Sequence, residues 1–275
     1  MEGMDVQMGK ANEKSKFESR FAENIIEVAA VTGASGISAG RAGGDMLWTA
    51  SIHLIAWKNL SNSEPVRKEE VRLEWLVTDE EWEKSKEILQ EDSVVKLQVR
   101  RADKSMMLVK VLEKAYEDVE LDFILRDVMK PVFYHDEVLG EFELDRVVKF
   151  FEKKISWSGE EGNLYFDWDE DENMMKSALE TAYNLFKEQD EWMMKIKAFA
   201  AEELVELAND WLQDDDENAE ITKEMFKDYL EFDSMTVYPN GEFEIFFFDG
   251  DMFLGHSIIV DGNIDGNLTS ADIAG

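Results

Sequence analysis

The apolar residues of this chain change their spacing part-way along it, and that change limits the possible folds more than any other feature. Through the first 130 residues, runs rich in valine, isoleucine and tryptophan alternate in part with polar residues, the period-2 signature of half-buried strands. They predict strands at Ile25 to Thr32, Met46 to Trp57, Val71 to Val77, Val94 to Arg100 and Met106 to Leu112. Between the third and fourth, Thr78 precedes Asp79, Glu80 and Glu81. A capping hydroxyl followed by carboxylates near the positive end of a helix dipole predicts a helix of about a dozen residues. A second short helix is predicted from Val119 to Met129.

Beyond Pro131, short strand-like stretches (Glu141 to Leu144, Lys154 to Trp157, Asn163 to Trp168) give way to apolar residues three or four apart. Met174, Ala178, Tyr183 and Phe186 mark one helix, and Trp192, Ile196, Phe199, Leu204, Leu207 and Trp211 the next. Thr222 caps a further helix. Three strands then follow, Met235 to Tyr238, Glu242 to Phe248 and His256 to Val260, the first two joined by a Pro-Asn-Gly turn. Each of the three prolines, Pro65, Pro131 and Pro239, falls at a predicted break. The expected organisation is a flexible N-terminus over residues 1–22, a β-rich domain over 23–130 with one or two helices, and an α+β domain over 131–275 in which antiparallel strands pack on a helical block. The fold class is α+β.

Hydrophobic residues make up 44% of the chain, enough for a packed core despite a net charge of −33. With no cysteine, disulfides, thiolate metal sites and cysteine nucleophiles are excluded. The opening stretch MEGMDVQMGKANEKSKFESRF lacks the apolar segment of a secretory signal, and no run of 18 apolar residues occurs, so a cytoplasmic location without membrane association is expected. The charge is unevenly placed. Residues 1–130 hold 19 Lys+Arg and 25 Asp+Glu, whereas residues 131–275 hold 10 and 37, a net of −27. Such a field opposes nucleic-acid binding and favours capture of a basic partner.

Three constellations could carry chemistry. The glycine-rich VTGASGISAG, residues 31–40, looks like the cofactor turn of short-chain dehydrogenases, and Tyr183 to Lys187 supplies their Tyr-x-x-x-Lys spacing. Ile37 and Ala39 stand where that turn needs glycine, and a strand pattern rather than a helix follows, so a glycine-rich loop is expected and no cofactor. The acidic loop Asp214, Asp215, Asp216 and Glu217, and the run Asp167 to Glu172, lack the ligand spacing of a calcium loop and read as solvated turns, the former a candidate partner-binding segment. In the tail, Asp249, Asp251, Asp261 and Asp265 include three Asp-Gly pairs, and His256 opens a predicted strand. Asp249, Asp251 and His256 are candidate catalytic residues for metal-assisted chemistry, weighed against a structural role for a lone histidine beside a turn. No multi-histidine metal spacing is present.

The run from Ile221 to the C-terminus, with its GDMFLGHSIIVDG core, resembles the end of an uncharacterised bacterial domain-of-unknown-function family. VLGEFELDR, the Ile-x-Trp-x-Gly of Ile155 to Gly159 and the LAND-W ending at Trp211 resemble it too. The resemblance spans roughly Pro131 to Gly275. It implies an intracellular bacterial α+β domain without established activity, some relatives of which lie in toxin-immunity gene neighbourhoods. The expected function is a non-enzymatic acidic protein of immunity or inhibitor type that binds a basic protein. The alternatives are a metal-assisted hydrolase built on the tail residues, and a nucleic-acid mimic whose carboxylates imitate phosphates.

Overall fold

A computed structural model describes residues 2–62, 64–211 and 220–274, and the chain divides into two compact units, residues 1–130 and 131–275. The class is α+β.

The first unit contains α1 (Glu2–Glu18), β1 (Ile26–Thr32), β2 (Ser38–Gly40), β3 (Trp48–Asn59), β4 (Val71–Val77), α2 (Asp79–Ser85), β5 (Val94–Arg101), β6 (Ser105–Glu113) and α3 (Val119–Val128). Strand β1 pairs antiparallel with both β3 and β5. β3 pairs with β4 and β5 with β6, and β4 meets β6 in a short parallel register, so five strands close on themselves. This is a small Greek-key barrel of the OB type, with β2 added outside β3. Val28, Ile52, Leu54, Leu73, Leu97 and Met106 fill its interior. Outside, α3 seats Leu121 and Ile124 on Ala29, Val31, Ala56 and Val94. Because β1 is covered on both faces, it carries an unbroken apolar run instead of alternation.

Two expectations for this unit are corrected. Residues 1–22, expected as a flexible N-terminus, contain α1, and the segment is anchored where Phe17 and Phe21 bury against Met107. Arg100 donates to the carbonyls of Glu18, Phe21 and Ala22 there. The polar α1 has no apolar stripe to betray it. Helix α2 begins as expected, with Thr78 and Glu81 forming a reciprocal capping box, but ends at Ser85 because Leu89 must turn into the barrel core. With α3, the β-rich domain over residues 23–130 holds two helices, within the one or two expected. The glycine-rich segment is a loop leading from β1 into β2, and Gly33 N–H donates to the His53 carbonyl at 2.8 Å.

Asp118 caps α3 by accepting from the N–H groups of Glu120 and Leu121, and Lys58 Nζ lies 2.6 Å from its carboxylate. Burial would raise this carboxyl, yet Lys58 and those N–H groups outweigh it and hold the pKa below its ordinary value. The resulting stability is complete above the unfolded-state pKa of about 4 and is lost as pH falls through the folded value. Asp118→Asn keeps the cap but removes the charge opposite Lys58, and is therefore expected to flatten the acid limb of the stability–pH curve and to lower stability at neutral pH by about 1–2 kcal/mol, read by urea unfolding of the full chain.

The second unit is one eight-stranded sheet with β7 (Phe133–Asp136), β8 (Gly140–Asp145), β9 (Phe150–Trp157), β10 (Glu160–Asp167), β11 (Glu231–Val237), β12 (Glu242–Phe248), β13 (Ser257–Asn263) and β14 (Leu268–Ala274) side by side in chain order. Between β10 and β11 run α4 (Glu172–Lys187), α5 (Gln189–Trp211) and α6 (Lys223–Tyr229). The expected antiparallel arrangement holds except at one seam. β10 and β11 are parallel over Asn163–Tyr165 and Ser234–Thr236, because a helical connection returns the chain to the end from which it left. Phe142, Trp157, Phe166, Met235, Ile245 and Val260 pack from the sheet against Leu179, Ala182, Ile196 and Leu204 from the helices. The buried line of α4 runs through Met175, Ala178, Leu179, Ala182 and Leu185, while Met174 faces out. Alanines let the helix lie close on the sheet, and that rotates its face from the one predicted. No described helix is long and apolar enough to cross a membrane.

Candidate functional site

The tail candidates fall in a compact loop between β12 and β13. Asp249 is only 3% exposed, and its carboxylate accepts from the N–H groups of Asp251 (3.0 Å), Phe253 (2.7 Å) and Gly255 (3.1 Å). These bonds fold the chain around the carboxylate, with Gly250, Asp251, Leu254 and Gly255 all at positive φ. Phe253 plugs the loop onto Phe226 and Trp211. His256 meets Trp211 edge-on at 5.6 Å, and its Nδ1 is hydrogen-bonded to the Phe253 carbonyl. Asp251 is exposed. Asp249 and His256 thus organise a turn: Asp249 spends its lone pairs on backbone donors, and His256 is tied to a carbonyl. Among the described residues no group of three histidine or acidic side chains is placed to hold a metal ion.

Removing the Asp249 carboxylate would leave the Phe253 N–H buried without a partner, a loss of about 1–3 kcal/mol. Asp249→Ala, which removes both acceptor oxygens, is expected to lose at least that much in urea unfolding. Calorimetric titration of the wild-type chain with Zn²⁺ or Mg²⁺ is expected to give no stoichiometric heat. A binding isotherm abolished by His256→Ala would instead revive metal-assisted hydrolysis.

The acidic run at the end of β10 is a turn and a cap, in which Asp169 accepts from Asp171 N–H and Asp171 accepts from Asn173 N–H at the start of α4. Asp214, Asp215, Asp216 and Glu217 lie outside the described residues. Tyr183, the second half of the discarded dehydrogenase pattern, donates to Asp136, and burial beside that carboxylate raises its pKa.

A different surface gathers the charge. Alternation sends every second strand residue to the face away from the helices. There a single cross-strand row traverses the whole sheet, as Phe133, Glu143, Glu152, Tyr165, Thr236, Glu244, Asp261 and Ser270 stand opposite one another in turn. Two of its neighbouring pairs, Glu143 with Glu152 and Glu244 with Asp261, set like charges directly opposite, which destabilises a sheet. The row carries no lysine or arginine.

Three hollows lie along it. A central one of about 330 Å³ is lined by Phe150, Tyr165, Thr236 and Phe246 with Asp145 and Glu152 at its margin. Beside it, one of about 300 Å³ holds Tyr238, Glu242, Glu244, Asp261 and Asn263. A third, near β7 to β9, includes Lys153 and Lys154 among Glu141, Glu143 and Glu152. Burial, and then the adjoining Glu244, push the Tyr238 phenol up, while burial and then Glu152 do so for Tyr165. Asp167 is also raised, by burial and then by Asp169. These phenols stay protonated and offer donors among acceptors. Sequence reading missed the face because its carboxylates are scattered singly over four strands, and only the pairing register brings them into line.

In the first unit, the outer face of β3 and β4 carries ion pairs. His53 Nδ1 lies 2.9 Å from Glu70, and Arg72 and Arg20 converge on the buried Glu74. Residues 136–273 match a family described as "Uncharacterized protein conserved in bacteria (DUF2262)", and residues 13–128 match a "Domain of unknown function (DUF7021)". No curated protein and no solved structure matches the chain.

Proposed function

The chain belongs to the family of uncharacterized proteins conserved in bacteria (DUF2262), and on that premise we propose that its acidic unit is a non-enzymatic binding domain for a basic protein, of immunity or inhibitor type. The observation that carries this reading is the opposed pairs on the sheet face turned away from the helices of this unit. Glu143 against Glu152 and Glu244 against Asp261 cost stability in the free protein, and a partner's lysines or arginines would relieve that cost. Tyr165, Tyr238, Phe150 and Phe246 supply the aromatic area that interface cores favour. The net charge of −27 on residues 131–275 would speed encounter at low salt. With no cysteine to oxidise, the chain suits a reducing compartment, and the proposal places it in the cytoplasm.

The test begins with a basic partner recovered from the native host on the immobilised full-length chain. Its association rate, followed by stopped flow, is expected to fall steeply with added salt. The double variant Glu152→Gln/Glu244→Gln is expected to weaken affinity at least tenfold, about 1.4 kcal/mol, with thermal stability unchanged or raised. A partner whose binding ignores both salt and these substitutions would sink the proposal. The nucleic-acid mimic remains as a second reading, since the carboxylates line one extended face. It is favoured if duplex DNA competes for the same partner.

A further inference from the structure

The barrel of the first unit is incompletely sealed. β4 and β6 pair only from Arg72↔Ser105 to Glu74↔Met107. Past that point Trp75, Leu76 and Val77 stay with β3, whereas Leu108 to Glu113 stay with β5. The two strands part, and among the described residues no strand pairs with the second edge of β6 beyond Met107. In the gap lies a cavity of about 570 Å³, floored by Phe17, Leu76, Ile88, Met107, Val109 and Val111. Val109 is 41% exposed although it belongs to a strand.

A further observation bears on what this cleft accepts. Lys14, Lys110 and Lys114 stand around it, and its one lining carboxylate, Glu18, lies 3.8 Å from Arg100. Three cations gathered on a chain of net charge −33 make a local inversion of sign.

We propose that the cleft between β4 and β6 is a docking site for an extended peptide whose side chains alternate between acidic and apolar, added as a strand to the free edge of β6. An unpaired strand edge offers backbone donors and acceptors along its length, and a peptide that adds to it takes affinity from those groups and specificity from alternate side chains. From Leu108 to Glu113 the edge extends roughly 20 Å, the length of a six-residue strand. Apolar side chains of the peptide would enter the cavity, and its carboxylates would meet the three lysines. The acidic chemistry follows from the rim, since a basic peptide would be repelled there.

The probe is a fluorescein-labelled octapeptide alternating glutamate with valine, titrated with the full-length chain at low salt. A saturable rise in anisotropy is expected, together with slowed amide exchange in residues 108–113. K110E/K114E, which alters exposed side chains, is expected to weaken binding at least tenfold. The same peptide N-methylated at alternate residues, and so lacking donors along one edge, is expected not to bind, an arm that requires no protein variant. Absence of saturable binding overturns the proposal. So does equal binding of the N-methylated peptide, or unchanged affinity in a K110E/K114E protein that melts like the wild type.

Discussion

Replacing Gly162 with alanine is expected to destabilise the second unit by at least about 3 kcal/mol, one of the largest losses available to a single added methyl group. A Cβ at this position would stand 2.3 Å from the Asp233 carbonyl oxygen and 2.4 Å from Cε1 of Phe232. The ring could shift. The carbonyl could not, because it belongs to β11 at the parallel seam, where Asn163 faces Ser234. The expected result is a urea midpoint well below that of the wild type. An unchanged midpoint would mean that β10 and β11 do not approach as described.

Trp157→Ala is expected to cost about 3–5 kcal/mol in the same measurement. The indole is fully buried, packs on Phe232 at 5.2 Å, and donates from Nε1 to the Leu185 carbonyl at 3.5 Å. It therefore joins β9, the end of α4 and β11, and truncation would leave a cavity where three elements meet. Trp157→Phe keeps most of the volume and is expected to cost markedly less. Equal losses for the two substitutions would argue that the indole hydrogen bond, rather than packing, dominates at this position.

The contrast between what was and was not legible in the sequence follows from the range of the interactions. The Thr78 cap with its following carboxylates, the Pro-Asn-Gly turn and the strand from Glu242 to Phe248 are settled by neighbours a few residues apart, and each was readable. The tail resemblance also falls inside the matched span of the family. Barrel closure depends on β1 meeting β3 and β4 meeting β6, pairings that no local pattern encodes. Helix α1 was missed because its hold on the barrel lies in two phenylalanines and a distant arginine. The candidate site shows the same limit. Asp249 and His256 drew notice by composition, but backbone N–H groups and a carbonyl, invisible in a sequence, fix what they do. Glu152 and Glu244 drew none, since only strand register makes them neighbours of Glu143 and Asp261.

The parallel seam also bears on the order in which the acidic unit assembles. On one side of it, β7 to β10 form a meander of local contacts, and on the other β11 to β14 form a second. Each can close cheaply, whereas joining them requires the chain to bring together segments separated by three helices, the slow and entropically expensive step. Glu143 and Glu152 belong to the first meander, Glu244 and Asp261 to the second. A newly made chain with the seam still unsealed would carry either pair alone but not the continuous row. If the row is what a partner reads, recognition would act as a proofreading step, engaging finished molecules and passing over half-folded ones.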